Sequence, residues 1–514
     1  MERSIRSQLD HLFYPKSLAV LGASNNPGKW GFGTFDTVRR TATDIRVYPI
    51  NPGTSEIMGF RAYPSVLDVP EPIDLAVVVI PPQAVPAAMR ECVQKGIRAA
   101  VIITAGFRET GERGAALEKE VLEIARQGGI RFVGPNCNGH FNTTANLHTT
   151  GGGTRPGPLG LVSQSGNFGG HILRRGAERG IGFTKYVSSG NEADLHLEDY
   201  IEYLAEDEET RIILAYIEGL KEGRRFFELA RRTTRKKPII VMKVGRTDEG
   251  ARAAHSHTGS LSGLDVIHQA AFRQSGVIRV DEVDDLFDVA LALLRQPLPR
   301  GRRVGILTGG GGFGVVATDA CRRMGLEIPA LPEETVQTLS KYLPPRWSHG
   351  NPVDMAGDTQ GSYPSLGTLL KAPNIDAVLA VGSVGYPAPA ATGSADRYDA
   401  ETRERMERYG QQMVEGELAL VDGLIERIDR HQKPLIITAS SGRGQSPAIT
   451  KLEENGFYGY RTPEEGARVL SYLVRYAEYV RGLKRPRPHH VRRSAAPTAA
   501  AVSRGTGQTR QGPE

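Results

Sequence analysis

The sequence predicts an α/β protein of three parallel-sheet domains, the first Rossmann-like and the next two flavodoxin-like. Three observations lead there. Short apolar runs alternate with helix-length segments. The runs are continuous rather than alternating, as in strands buried on both faces of a sheet. Three of them end in a turn rich in glycine or hydroxyl residues that opens a helix, at Gly22, Ser163 and Thr308.

The first unit spans 8–145. Its opening strand, Ser17 to Leu21, runs into Gly22, Ala23 and Ser24, and further strands are expected at 46–50, 75–80, 99–103 and 131–133. A dinucleotide site would need a closely spaced GxGxxG and an acidic residue after the second strand. Here Ala23 and Ser24 follow the glycine, and the second strand ends in Asn51, Pro52 and Gly53. A nicotinamide oxidoreductase is therefore the weakest reading.

The second unit spans 155–298 and the third 301–480. From Gly160 and from Gly305, each reads glycine, two aliphatics, a hydroxyl, a polar or glycine turn, then Phe-Gly. That is the mark of an internal duplication. In each copy the free N–H groups of the helix start suit a phosphate. The copies then diverge. The second runs from the strand at 237–243 into a segment holding two histidines, whereas the third passes from 433–438 into Ala439, Ser440, Ser441 and Gly442 with none. Chemistry is expected in the middle unit, and docking or scaffolding in the third. Between strands of the third unit, Arg397 to His431 reads as a long solvent-facing helix.

A chain of 514 residues suits three domains at roughly 150 residues each. The formal charge of +6 is concentrated in 484–514, where seven basic residues face one acidic residue. Without interleaved aromatics this stretch reads as a disordered basic tail, not a nucleic-acid site. No run approaches the ~20 apolar residues of a membrane span, and no signal-peptide core is present. The expectation is a cytoplasmic protein with neither membrane nor nucleic-acid partner. Cys92, Cys137 and Cys321 form no CxxC pair, so neither a disulfide framework nor a metal site is expected, and Cys137 reads as buried filler.

The histidine segment, 251–263, sets His255 and His257 among serine, threonine and glycine, a composition for a loop closing on a bulky anion. Neutral imidazole is nucleophilic near pH 7. A carboxylate at the end of the apolar run 212–217, Glu218, is placed to accept Nδ1–H and leave Nε2 free to attack phosphorus. Ser163, Ser165 and the N–H groups around Gly166 and Asn167 would stabilise phosphoryl oxygens. The turn Gly190-Asn191-Glu192-Ala193-Asp194 either lines the same pocket or is a plain turn.

Together, GAS at 22–24, GPNCNG at 134–139, SQSG at 163–166, YIEG at 216–219 and SHTGSL at 256–261 carry a resemblance. Over roughly 8–480 the chain resembles the α subunit of NDP-forming acyl-CoA synthetases, the ADP-forming acetate–CoA ligase group. More distantly it resembles the α subunit of succinyl-CoA synthetase. The resemblance implies a CoA-binding Rossmann-like domain followed by two flavodoxin-like domains of the succinyl-CoA-synthetase type. It implies that His257 is phosphorylated, with His255 outside the motif, and that Glu218 orients it. Gly22, Ala23, Ser24, Asn51 and Pro52, with Thr104, Ala105 and Gly106, would contact CoA.

Two departures stand out. Gly53 and Thr54 stand where family members often carry a lysine, and Gly169-Gly170 replace a tyrosine of the succinate enzymes. The expected activity is an acid–thiol ligase that interconverts acyl-CoA, ADP and phosphate with carboxylate, CoA and ATP. CoA and phosphate would be substrates here, while Mg-ADP or Mg-ATP would bind an ATP-grasp β-type subunit in a hetero-oligomer, since no stretch is left for a nucleotide domain. The alternative is a non-catalytic scaffold of the same fold that binds CoA or acyl-CoA.

Overall fold

A computed structural model describes residues 4–151, 154–247, 249–250, 252, 265–358, 360–385, 398–439 and 446–484. The first unit contains β1 (Ser17–Leu21), β2 (Arg46–Ile50), a small hairpin of β3 (Glu56–Ile57) and β4 (Phe60–Arg61), then β5 (Leu75–Val78), β6 (Ala99–Ile102) and β7 (Arg131–Val133). Five of these form a sheet in the order β2-β1-β5-β6-β7, parallel throughout. β1, β5 and β6 are buried along their whole length, the consequence of unbroken apolar runs covered on both faces. Strand order reverses between β1 and β5, which opens a crevice at their C-terminal ends. β5 and β6 end a little earlier than expected because Val79, Ile80 and Ile103 already belong to the loops that bound this crevice.

The second sheet has seven strands. They are β8 (His140–Asn142), β9 (Leu147–His148), β10 (Leu159–Ser163), β11 (Phe183–Ser188), β12 (Ile212–Ile217), β13 (Ile239–Lys243) and β14 (Ile278–Val280). Their order is β14-β13-β12-β10-β11-β8-β9. Here the structure departs from the expected boundary at 145: β8 pairs antiparallel with β11, so residues 140–148 belong to the second sheet. The reason is physical. Without β8, β11 would be an exposed edge. His140 Nε2 also lies 2.8 Å from the Leu12 carbonyl, and Asn142 Nδ2 donates to the Phe13 carbonyl at 2.9 Å. These bonds tie the hairpin to the N-terminal helix Ile5–Phe13. One apolar cluster therefore runs from Leu9 and Phe13 through Val20 and Val133 to Tyr200 and Ile213, joining the two domains.

The third sheet comprises β15 (Val304–Thr308), β16 (Val353–Asp354), β17 (Ala377–Val381), β18 (Leu435–Thr438) and β19 (Gly459–Tyr460), in the order β16-β15-β17-β18-β19. The duplication is visible at hydrogen-bond level. Ser163 Oγ donates to the Ser165 carbonyl at 2.6 Å, and Thr308 Oγ1 donates to the Gly310 carbonyl at 2.8 Å, each just before a helix (Gly166–Glu178 and Gly311–Arg323). The expected long helix runs Ala400–His431; only its second half faces the core, through Val421, Leu424 and Ile428.

The last helix, Pro463–Lys484, packs on the helices Val283–Arg295 and Gly311–Arg323 and so clamps the second domain to the third. Residues 485–514 of the expected basic tail lie outside the described residues. Among the described residues no helix is long and apolar enough to cross a membrane.

Candidate active site

The C-terminal ends of the first two sheets face each other across a cleft of about 460 Å³. From the first domain come Val79, Ile80, Ile103, Thr104 and Ala105, and from the second Gln164, Ser165, Gly166, Asn167, Gly190 and Asn191. One wall is apolar; the other is made of amides and a helix start. Ser165 is the N-cap of the helix Gly166–Glu178, its Oγ accepting from Phe168 N at 3.3 Å. The remaining N–H groups of that first turn, at the positive end of the helix dipole, are suited to an anion.

Gln164 organises the floor. Its Oε1 accepts from the backbone N–H of Glu218 (2.6 Å) and Gly219 (3.0 Å), and its Nε2 donates to the Gly219 carbonyl (2.7 Å) and to Glu192 Oε1 (3.1 Å). The Glu218 backbone is thereby locked at the end of β12, with its side chain buried. Glu218 perturbs its neighbours. The Tyr216 phenol is raised by burial and by Glu218, and Lys243, lowered by burial and Arg279, is pulled back by Asp265 and Glu218.

Glu192 has φ of 56° and is buried, yet its Oε1 also accepts from Ser189 Oγ at 2.7 Å. Burial pushes its carboxyl up to about 7, against the opposing pull of Lys221. Lys221 Nζ donates to the carbonyls of Asn191 and Glu192, and burial together with Arg108 pulls it down to about 8. Asn191 in turn donates to Glu109 Oε2 at 2.6 Å and Glu118 Oε2 at 2.8 Å. Glu109 accepts from Gly106 N at 2.6 Å, so the loop after β6 and the turn after β11 are joined through this carboxylate. Burial alone would raise the Glu109 carboxyl; the bonds from Asn191 and Gly106 hold it below its ordinary value.

The sequence-derived candidates divide accordingly. Thr104, Ala105, Ser165, Gly166 and Asn167 line the cleft, as do Gly190 and Asn191 of the turn whose role was open. Ser163 lies beneath it, fully buried, with its hydroxyl donated to Ser165. Gly22 has φ of 91°, and a Cβ there would sit 2.3 Å from the Val79 carbonyl, so only glycine lets β1 and β5 turn out side by side. Ala23 is buried; its carbonyl accepts from Asn51 Nδ2 at 2.8 Å, and Ser24 Oγ accepts from Asn26 N at 3.0 Å. Pro52 is exposed beside Asn51, whose Oδ1 accepts from Gly53 N at 2.8 Å. Gly106, at φ of 109°, follows Ala105.

His255 and His257 lie outside the described residues. Cys137 is a buried thiol pushed by burial up to about 12, and it lies on the wall of the cleft. Gln164, Trp30, Lys221 and the Asn136 and Asn138 amides were not singled out from sequence. Trp30, 67 % exposed at the cleft mouth, had one signal: a large aromatic among glycines.

Comparison with known proteins follows the same division of the chain. Residues 16–143 match the CoA binding domain, 156–293 the succinyl-CoA ligase like flavodoxin domain and 304–386 the Ligase-CoA domain. Over 479 residues the chain is 40% identical to the α subunit of ADP-forming acetate–CoA ligase II of Pyrococcus furiosus, covering 92% of this chain and 99% of that one. The chain belongs to the family of ADP-forming acetate–CoA ligase α subunits.

Within this ligase family, the ADP-forming acetate–CoA ligase of Methanocaldococcus jannaschii is 38% identical over 472 residues, which cover 91% of this chain and 63% of that protein. The dinucleotide forming acetyl-coenzyme A synthetase 1 of Ca. Korarchaeum cryptofilum, solved in complex with phosphate and ADP, superimposes with a TM-score of 0.78 at 33% identity, covering 93% of this chain and 99% of that one.

Proposed function

We propose that this α subunit interconverts acyl-CoA, ADP and phosphate with a carboxylate, CoA and ATP through an acyl phosphate and a phosphohistidine at His257. The observation that carries the reading is the single cleft in which the loops of a CoA binding domain face the helix start at Ser165–Asn167, with Gln164 tying that turn to the Glu218 backbone. CoA lies along the first domain's strand ends, its thioester reaching past Thr104 and Ala105. Phosphate, held by N–H groups at Gly166 and Asn167 and by Ser165, attacks the thioester carbonyl. The C–S bond breaks, and CoA leaves as the thiol with an acyl phosphate remaining. His257 Nε2 then attacks phosphorus, the P–O bond to the acyl group breaks, and the carboxylate departs.

Glu218 accepts Nδ1–H and stabilises the charged imidazole. Ser163 supports the turn rather than the phosphate. Transfer to ADP, with its Mg²⁺, is assigned to an ATP-grasp β-type subunit in a hetero-oligomer. Two facts support the division. The Pyrococcus relative is named as a subunit and is matched over 99% of its length, whereas the Methanocaldococcus relative carries no subunit name and extends well beyond the matched 63%.

Incubation of the chain with its partner subunit and γ-labelled ATP is expected to yield an acid-labile phosphoprotein that His257→Ala loses. Label persisting at wild-type level in that variant overturns the assignment. Tight CoA binding with no phosphoprotein under any partner would instead favour the CoA-binding scaffold.

A further inference from the structure

A second concavity, of about 730 Å³, lies at the opposite, N-terminal edge of the third sheet. The approach to β15 brings Arg300, Arg302 and Arg303 to it, Lys371 ends the helix Ser362–Lys371, Arg430 lies in the last turn of the long helix, and Lys433 precedes β18. Only Glu327 and Asp376 oppose them on its walls. Cations near helix C-termini are expected from the dipole, which accounts for Lys371 and Arg430. It does not account for the arginines at 300–303 or for Lys433, which lead into strands.

Pairing uses up part of this charge. Arg303 is held on Asp376 by two contacts of 2.8 Å, and Arg302 on Glu478 at 2.7 and 2.8 Å. Arg300 and Lys371 make no ion pair among the described residues, and the buried Lys433 donates to the Ala372 carbonyl at 2.6 Å. The groups feel each other. Lys433 is lowered by burial and by Arg300 and Arg303, against Asp376. His431, on the wall, is lowered by burial and then by Lys433, Lys371, Arg430 and Arg427. Its Nε2 is shielded from solvent and has no hydrogen-bond partner among the described residues.

We infer that this concavity binds a di- or triphosphate group, either free or as the phosphate chain of a nucleotide. A flat acidic surface would meet the exposed Arg300, Arg302, Lys371 and Arg430 but not Lys433, which is buried in the wall and needs a ligand that enters. A single phosphate would leave most of the space empty; a compact multiply charged chain can engage Arg300, Lys371 and Lys433 together. The inference does not depend on chemistry at His257, which belongs to another domain.

Lysine acetylation of the full chain, read residue by residue by mass spectrometry at low ionic strength, tests it. Tripolyphosphate is expected to slow labelling of Lys371 roughly five-fold and to leave Lys119, an exposed lysine of the first domain, unchanged. Equal protection by ATP would identify a nucleotide; protection by tripolyphosphate alone would identify a free polyphosphate. In calorimetry, Arg300→Glu is expected to weaken tripolyphosphate binding about tenfold. Unchanged Lys371 labelling with both anions, or wild-type affinity in Arg300→Glu, overturns the inference. The wild-type labelling decides even if that variant is unstable. Loss of the phosphoprotein in His257→Ala bears only on the proposed reaction.

Discussion

Gln164 carries more of the site's geometry than any residue singled out for chemistry. Its amide bonds two backbone N–H groups, one carbonyl and a carboxylate. Gln164→Ala is expected to strand those donors and cost about 1–3 kcal/mol, measured by urea denaturation, and to slow phosphoprotein formation with it. Glu218→Gln is expected to keep the fold and CoA affinity while slowing phosphorylation by roughly 10² or more, by analogy with carboxylates that orient imidazoles; rapid-quench labelling reads this.

Glu192 supplies the pH dependence. Burial raises its carboxyl from the ordinary 4.5 to about 7, so the native state keeps a proton that the unfolded chain releases. Stability from this group therefore falls as pH rises from about 4.5 through 7. In Glu192→Gln that part of the slope is expected to vanish from melting temperatures taken across the window. Gln164 and Glu192 were present in the quoted motifs, yet their roles were illegible. Both act through partners on other strands, and nothing in a local motif says which backbone groups an amide will meet.

At the scale of elements, apolar periodicity carried far. β1, β2 and β7 span the residues expected of them, although only β1 is buried along its whole length; β2 and β7 are the two edge strands, and each opens on an arginine that meets solvent. The glycine turns were legible too: Gly22 sits where a side chain would strike the Val79 carbonyl. Gly22→Ala is expected to destabilise the first domain by about 1–3 kcal/mol and weaken CoA binding, with thermal melts and CoA titration as the measurements. The strands of the hairpin β8–β9 were not legible in the sequence, and the boundary expected at 145 falls between them. The hairpin's inward residues include His140 and Asn142, which are buried by bonding helix carbonyls, so the apolar signal that marks other strands is missing. Its partner β11 lies some 40 residues further on in sequence, and only the packed chain selects it.

At the scale of the whole molecule, the final helix holds the second and third domains together through charges as well as apolar contacts. Arg468 Nε donates to the buried Asp285 at 2.7 Å, and Tyr476 Oη donates to the Thr234 carbonyl at 2.8 Å. Burial still pushes the Asp285 carboxyl up to about 6 despite that arginine. Arg468→Ala, which leaves the carboxylate without its cation, is expected to cost about 3–5 kcal/mol and to separate the unfolding of the two domains in calorimetry.

By itself the sequence determined the three α/β units, their internal duplication, the turns that start the helices at Gly166 and Gly311, and the family. All of these rest on local patterns: runs of apolar side chains, glycines that allow close approach, and motif order. Tertiary structure alone decided that the first two sheets share one core and one cleft, that Ser163 lies under the cleft while Ser165 lines it, and that the loops after β6 and β11 are joined through Glu109 and Asn191. Those outcomes depend on which buried polar groups find partners across domains, and burial makes that pairing obligatory without making it local.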